Sequence, residues 1–256
     1  MSVVFNVLVV DAGNTSIKFT ALAGDQVLWV QRGDTCPAEP NFIPEVIYFA
    51  SVRSKELSAL LHADIQAVFP HSQWLTLSSQ AQVCGVRNAY LEPERLGIDR
   101  WLGVVAAHHL IKGDVVVVDA GTAIKVDVVN QDGLHLGGYI APGLTMMEEA
   151  LLSKTARIRY DAHEVVAGHG LPNSTARAVA EGCHEMALGF LERLYQRYPT
   201  FKWVVTGGDA KTLLDLLGVA LVYQPNLVAL GAKLVGDERL KGSLKGSLKG
   251  SLRGNE

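Results

Sequence analysis

A Val-rich run that ends in Asp-Ala-Gly occurs twice in this chain, as Asp11-Ala12-Gly13-Asn14-Thr15 and as Asp119-Ala120-Gly121-Thr122-Ala123. Each copy has an acidic residue at the end of a strand-like stretch, a glycine that permits a tight bend, small hydroxyl or amide side chains, and a second alternating stretch. One copy alone reads equally well as a plain β-hairpin. Two copies in matching contexts point to a turn that wraps a phosphate. Glycine lets backbone N–H groups converge on an anion, Asn and Thr add donors, and the carboxylate holds a cation that offsets the phosphate charge. In Ile17-Lys18-Phe19-Thr20, alternation places Lys18 on the face opposite its apolar neighbours, pointing towards a ligand.

The segments around the two turns follow one plan. Residues 3–10, 16–22 and 26–32 read as three successive antiparallel strands, and 46–50 as a buried strand. Residues 54–69 have helical spacing, with Leu57, Leu60, Leu61, Ile65 and Val68 as the apolar stripe, and 74–77 is strand-like. The order then repeats, with strands at 115–118, 124–129 and 137–140. Helices are expected at 144–154 and from Ser174 or Thr175 towards Tyr198, a buried strand at 201–205, and helices at 210–217 and 227–234. This pattern predicts an α/β protein of two similar lobes, with mixed sheets flanked by helices and a cleft between the lobes. The expected boundaries are 1–112, 113–236 and a tail at 237–256. There Lys-Gly-Ser-Leu recurs from Lys241, a composition that predicts a flexible extension.

Composition excludes several classes. With 256 residues, 48% of them hydrophobic, the chain has ample material for a packed core. A net charge of -3 gives no bulk attraction to nucleic acid or acidic lipid. Cys36, Cys84 and Cys183 are far apart and odd in number, and read as reduced thiols of a cytoplasmic protein. No apolar run approaches the ~20 residues of a membrane helix. The N-terminal residues read as the first strand rather than a leader.

Between the two turns lies Asn88-Ala89-Tyr90-Leu91-Glu92-Pro93-Glu94-Arg95-Leu96-Gly97-Ile98-Asp99-Arg100, followed by an apolar helix through Leu110. Taken alone, Asp99-Arg100 is either an exposed charge pair near a helix start or a catalytic acceptor beside an anion clamp. The flanking phosphate turns bring the second possibility into play.

Together and in order, Asp11-x-Gly13-Asn14-Thr15-x-x-Lys18, Gly97-x-Asp99-Arg100 and Asp119-x-Gly121-Thr122-Ala123 resemble the type III pantothenate kinases. The resemblance extends to Gly137-Gly138-x-Ile140-x-Pro142-Gly143, Leu152-x-x-Thr155-Ala156, Ser174-Thr175 and Thr206-Gly207-Gly208-x-Ala210. It implies an actin-like, ribonuclease-H-like ATPase fold, a homodimer, and ATP-dependent phosphorylation of pantothenate to 4'-phosphopantothenate, the first step of coenzyme A biosynthesis. By motif position, Asp11, Ala12, Gly13, Asn14, Thr15, Ser16, Ile17 and Lys18 would hold ATP, with Mg²⁺ reached by Asp11 through the nucleotide, and Thr122 would also touch ATP. Asp119 would ligate a monovalent cation, K⁺ or NH₄⁺. Tyr90, Gly97, Ile98, Asp99, Arg100 and Thr175 would contact pantothenate, with Asp99 as catalytic base. Thr175 also suits a helix N-cap, and Tyr90 a packing aromatic.

Some residues depart from that pattern or stand outside it. Lys125 occupies a position where the family more often has a small hydroxyl residue, and its ammonium would either replace or repel the cation beside Asp119. Arg157 and Arg159 read as a solvated edge, Met146-Met147 as helix core, and His108-His109 as a packed or surface pair without a third metal ligand. Neither Gly-x-x-x-x-Gly-Lys-Ser/Thr nor Gly-x-Gly-x-x-Gly is present. Two other functions fit the same fold: a catalytically silent accessory or regulatory protein, or a kinase of another small acid or sugar.

Overall fold

Strands β1 (Asn6–Ala12), β2 (Ile17–Ala23), β3 (Gln26–Gly33) and β4 (Val46–Ser51) lead into helix α1 (Lys55–Val68), strand β5 (Gln73–Thr76), a small hairpin of β6 (Gln82–Val83) and β7 (Val86–Arg87), and helix α2 (Ile98–Leu110). The chain continues through β8 (Val115–Ala120), β9 (Ala123–Val129), β10 (His135–Pro142), α3 (Leu144–Lys154), α4 (Thr175–Arg197), β11 (Lys202–Thr206), α5 (Ala210–Leu217), β12 (Val222–Tyr223) and α6 (Leu227–Leu252). This computed structural model describes residues 5–218 and 220–252. Val3 and Val4 of the expected first strand lie outside them, as does the end of the tail.

Two units form. The first comprises Met1–Leu110, Asp132–His135 and Asn226–Glu256. Its sheet has the order β3-β2-β1-β4-β5. β2 runs antiparallel to β1 and β3, while β4 is parallel to both β1 and β5. Val7 to Val10 of β1 are fully buried, which is why the sequence there is an unbroken apolar run rather than an alternation. β3, at the sheet edge, alternates exposed and half-buried residues. In α1 the buried residues are Leu61 and Ile65, whereas Leu57 and Leu60 of the expected stripe are exposed, so the docked face is narrower than the apolar one.

The second unit comprises Ile111–Gln131 and Leu136–Pro225, with a sheet in the order β10-β9-β8-β11-β12. Here β8 is antiparallel to β9 and parallel to β11, which is parallel to β12. The same order in each unit, with the turn-bearing strand central, is the duplicated ribonuclease-H-like arrangement of an actin-like ATPase. Val116, Val118, Leu191, Trp203 and Val205 lie in the core of this unit. Met147 packs against that core, but Met146 is exposed. Arg157 and Arg159 are exposed, as expected, and Arg159 Nη1 also lies 2.5 to 2.8 Å from the carbonyl oxygens of Leu152, Thr155 and Ile158 around the end of α3.

The tail departs from expectation. Residues 226–236 belong with the first unit, and α6 continues to Leu252 where a flexible extension from Asp237 is expected. Tyr48 donates its hydroxyl to Asp237 Oδ1 at 2.7 Å, Lys233 pairs with Asp237, and Arg239 donates to Thr76 O and Ser78 Oγ. These contacts hold the helix at and beyond residue 237. Propagating an anchored helix adds one bond per residue with no new nucleus, so the Gly-Ser repeats follow it. Burial and the Asp237 carboxylate push the Tyr48 phenol far above its ordinary range, so it remains a donor. Burial likewise raises the Cys36 and Cys84 thiols to about 12, and all three cysteines are free. Among the described residues no helix is long and apolar enough to cross a membrane.

Tyr48→Phe removes a hydrogen bond to a charged acceptor, and should lower stability by about 1.5–3 kcal/mol. A lower denaturant midpoint at an unchanged slope is the expected readout.

Candidate active site

The first turn joins β1 to β2, with Asp11 directly opposite Lys18 across the strands. The Gly13 N–H closes the turn by donating to Ser16 O at 3.1 Å, while Asn14 and Thr15 project into solvent. Ala12 and Ile17, expected among the nucleotide contacts, have their side chains in the core, so only their backbone faces the turn. Two arginines reach this turn from elsewhere. Arg53 Nε donates to Gly13 O at 2.7 Å, and Arg32 Nη1 to Ser16 Oγ at 3.4 Å. Lys18 and Arg32 are also direct neighbours between β2 and β3. A turn that two arginines contact and whose flanking strand carries Lys18 has the charge to bind a polyanion.

Asp99 and Arg100 stand in the first turn of α2. Gly97 precedes the helix and accepts its first bond, from the Trp101 N–H at 3.0 Å. A Cβ at Gly97 would lie 2.7 Å from Asp99 Oδ1, so this glycine leaves the space that the Asp99 carboxylate occupies. That same oxygen accepts the Arg100 N–H at 2.9 Å. The Arg100 side chain is buried, with only 7% exposed. Its Nη1 donates to Tyr90 Oη at 2.9 Å, and its guanidinium carbon lies 5.8 Å from the Tyr90 ring centre. Tyr90 is therefore more than packing. Its own backbone N–H is held by Asn88 Oδ1, whose amide in turn donates to Gln80 O and Pro93 O. Ile98 is buried and supports the helix rather than presenting a side chain.

In the second unit, β8 and β9 carry the other turn. Gly121 N–H donates to Ala123 O, and Thr122 O accepts the Gly143 N–H, each at 3.1 Å. Gly207, with φ of 104°, lets the next loop lie against Ala120, where a Cβ would come within 2.0 Å of Ala120 O. The Thr122 side chain is exposed. Asp119 faces Lys125 across the strands, and the Lys125 Nζ lies 2.8 Å from Asp119 Oδ2. The Lys125 ammonium thus places a positive charge on the carboxylate that is expected to ligate a monovalent cation. Thr175 opens α4, but the N-cap is Ser174, whose Oγ accepts the Arg177 N–H at 3.3 Å. The Thr175 side chain is thus not spent on capping, and it borders a shallow apolar depression with Ile158, Val179 and Met186.

Sequence reasoning missed Arg32, Arg53 and His135. The signal for Arg53 was its place just past the carboxyl end of a parallel strand, where α/β sheets present ligand-binding groups. His135 had none. It is fully buried, stacks on Tyr90 with 6.4 Å between ring centres, and its Nδ1 accepts the Ala89 N–H at 3.4 Å. It backs the Tyr90 loop.

Comparison with known proteins identifies the family and the fold. The family model described as type III pantothenate kinase matches residues 7–197. The chain is 79% identical over 243 residues to a type III pantothenate kinase of Marinomonas sp. (strain MWYL1), spanning 95% of this chain and 100% of the relative. It is 39% identical to one from Pseudomonas aeruginosa (strain LESB58), over 89% and 98% of the two chains. A crystal structure of a conserved Baf family protein from Campylobacter jejuni shares the fold, with a TM-score of 0.60 and 24% identity over 91% of this chain and 99% of the other.

Gly97→Ala tests the space reserved for the Asp99 carboxylate. The obstructing atom is the tip of a flexible side chain, so stability should change by less than about 1 kcal/mol while turnover falls. Thermal unfolding and steady-state kinetics on the same preparation check both halves.

Proposed function

Because the chain belongs to the type III pantothenate kinase family, we propose that its two turns and the head of α2 carry out the following division of labour. The reaction transfers a phosphoryl group from ATP to the terminal hydroxyl of pantothenate, giving 4'-phosphopantothenate, the first step of coenzyme A biosynthesis. The turn Asp11 to Lys18 binds the ATP phosphates through the backbone, Asn14, Thr15 and Lys18, with Arg32 and Arg53 adding positive charge. Thr122 adds a nucleotide contact from the second turn. Asp11 is the carboxylate that would hold Mg²⁺, whose hard oxygen preference suits one such ligand together with phosphate oxygens; when bound, the ion neutralises charge on the transferring group. No step is assigned to a monovalent cation, since Lys125 engages Asp119.

Arg100 binds the carboxylate of pantothenate, a role that a permanently charged fork suits. Tyr90 holds that guanidinium in place, and Thr175 contributes a hydroxyl to the substrate. Asp99 accepts the proton of the attacking hydroxyl. In a loose phosphoryl-transfer transition state that proton leaves late, so the carboxylate works chiefly by orienting the nucleophile. A cytoplasmic, homodimeric enzyme completes the proposal. The observation that carries it is the family match over residues 7–197, a segment that contains every residue given a role here.

Incubation with ATP, Mg²⁺ and pantothenate should yield 4'-phosphopantothenate by mass spectrometry; ATP turnover only with a different acid or sugar, or none at all, would refute the assignment. Asp99→Asn should lower kcat by about 10²- to 10⁴-fold while ATP-analogue affinity persists. Asp11→Asn and Lys18→Ala should instead weaken the binding of a non-hydrolysable ATP analogue in calorimetric titration.

A further inference from the structure

We propose that Lys125 is a built-in monovalent cation: its ammonium permanently neutralises Asp119 at the second turn, so that the kinase needs neither K⁺ nor NH₄⁺ from solution. The inference rests on the functional reading above for its kinetic consequence, but its structural basis stands apart from it.

Asp119 is the last charged residue of β8, one residue before Ala120 and two before Gly121. Lys125 is its cross-strand partner in β9, so the two side chains leave the same face of the sheet. Both are largely shielded, with side-chain exposures of 24% for Lys125 and 27% for Asp119, and the Nζ to Oδ2 separation is 2.8 Å. That is a charge-assisted hydrogen bond at full contact. In the first turn Lys18 stands opposite Asp11 in the strand register, before Gly13.

An alkylammonium is chemically a substituted NH₄⁺, with three donors and a single positive charge. Tethered opposite Asp119 by the strand pairing, it is present at the carboxylate in every molecule, whatever the salt outside. A second cation on the same oxygen would meet a like charge and a partly desolvated site, both of which oppose its binding. The hairpin therefore carries its own neutralising charge.

The test exchanges the cation and the lysine independently. Wild-type protein in KCl, in NaCl and in a Tris-only buffer should give the same 4'-phosphopantothenate rate within about twofold and the same melting temperature, because a site that binds no ion transmits no linkage. Lys125→Ser opens the carboxylate. Without K⁺ its rate should fall by about ten- to a hundredfold, the scale of a lost charge-assisted bond, and K⁺ or NH₄⁺ but not Na⁺ should restore it. Its melting temperature should rise with KCl and not with NaCl. Lys125→Met, close in size and uncharged, gives a second route if the serine variant folds poorly. A wild-type rate or melting temperature that depends on K⁺ specifically would overturn the proposal. The melting measurements decide the point even if pantothenate proves not to be the substrate, so failure of the functional reading and failure of this inference are separable.

Discussion

A half-buried carboxylate near the end of a buried strand is stabilised by positive charge, and the second turn draws that charge from its own hairpin. β1 and β8 each carry a run of four buried apolar residues, valines with one leucine in β1, then a half-buried aspartate one residue before the strand's end. In the second unit Lys125 supplies the positive charge at 2.8 Å, and in the first Lys18 stands opposite Asp11 in the strand register. The polar chemistry of the turns is therefore continuous with the packing of the cores beneath them.

The head of α2 solves a related problem in another way. A buried guanidinium is tolerated because Tyr90 accepts a hydrogen bond from it and lends it a ring face, and because Asn88 and His135 hold Tyr90 still. Asp99 next to it sits where Gly97 leaves room. A carboxylate on a rigid helix end, beside a fixed cation, has its place set by the fold itself.

Much of this was legible in the chain. The Val runs, the Asp-Ala-Gly bends and the order of periods indicated the central strands, the hairpins and the duplication, because burial on both faces and tight turning each demand particular residue types. Asp99 and Arg100 were visible as a pair, but their environment was not. Arg32, Arg53 and His135 were hidden, since isolated charges and a lone histidine have no periodic signature until strand pairing brings them to a site. The Lys-Gly-Ser-Leu repeats misled for a different reason: local composition favours disorder, whereas an upstream helix anchored by Tyr48 and Thr76 carries them along.

The sequence by itself determined the two sheet-and-turn units, the family, and the residue types available for chemistry, because these follow from short-range pattern and covalent order. Only the tertiary structure decided which charges meet. That Lys125 rests on Asp119, that Arg100 is clasped by Tyr90, and that Ser174 rather than Thr175 caps its helix all depend on register and rotation, which turn a spacing in the chain into a distance of a few ångströms.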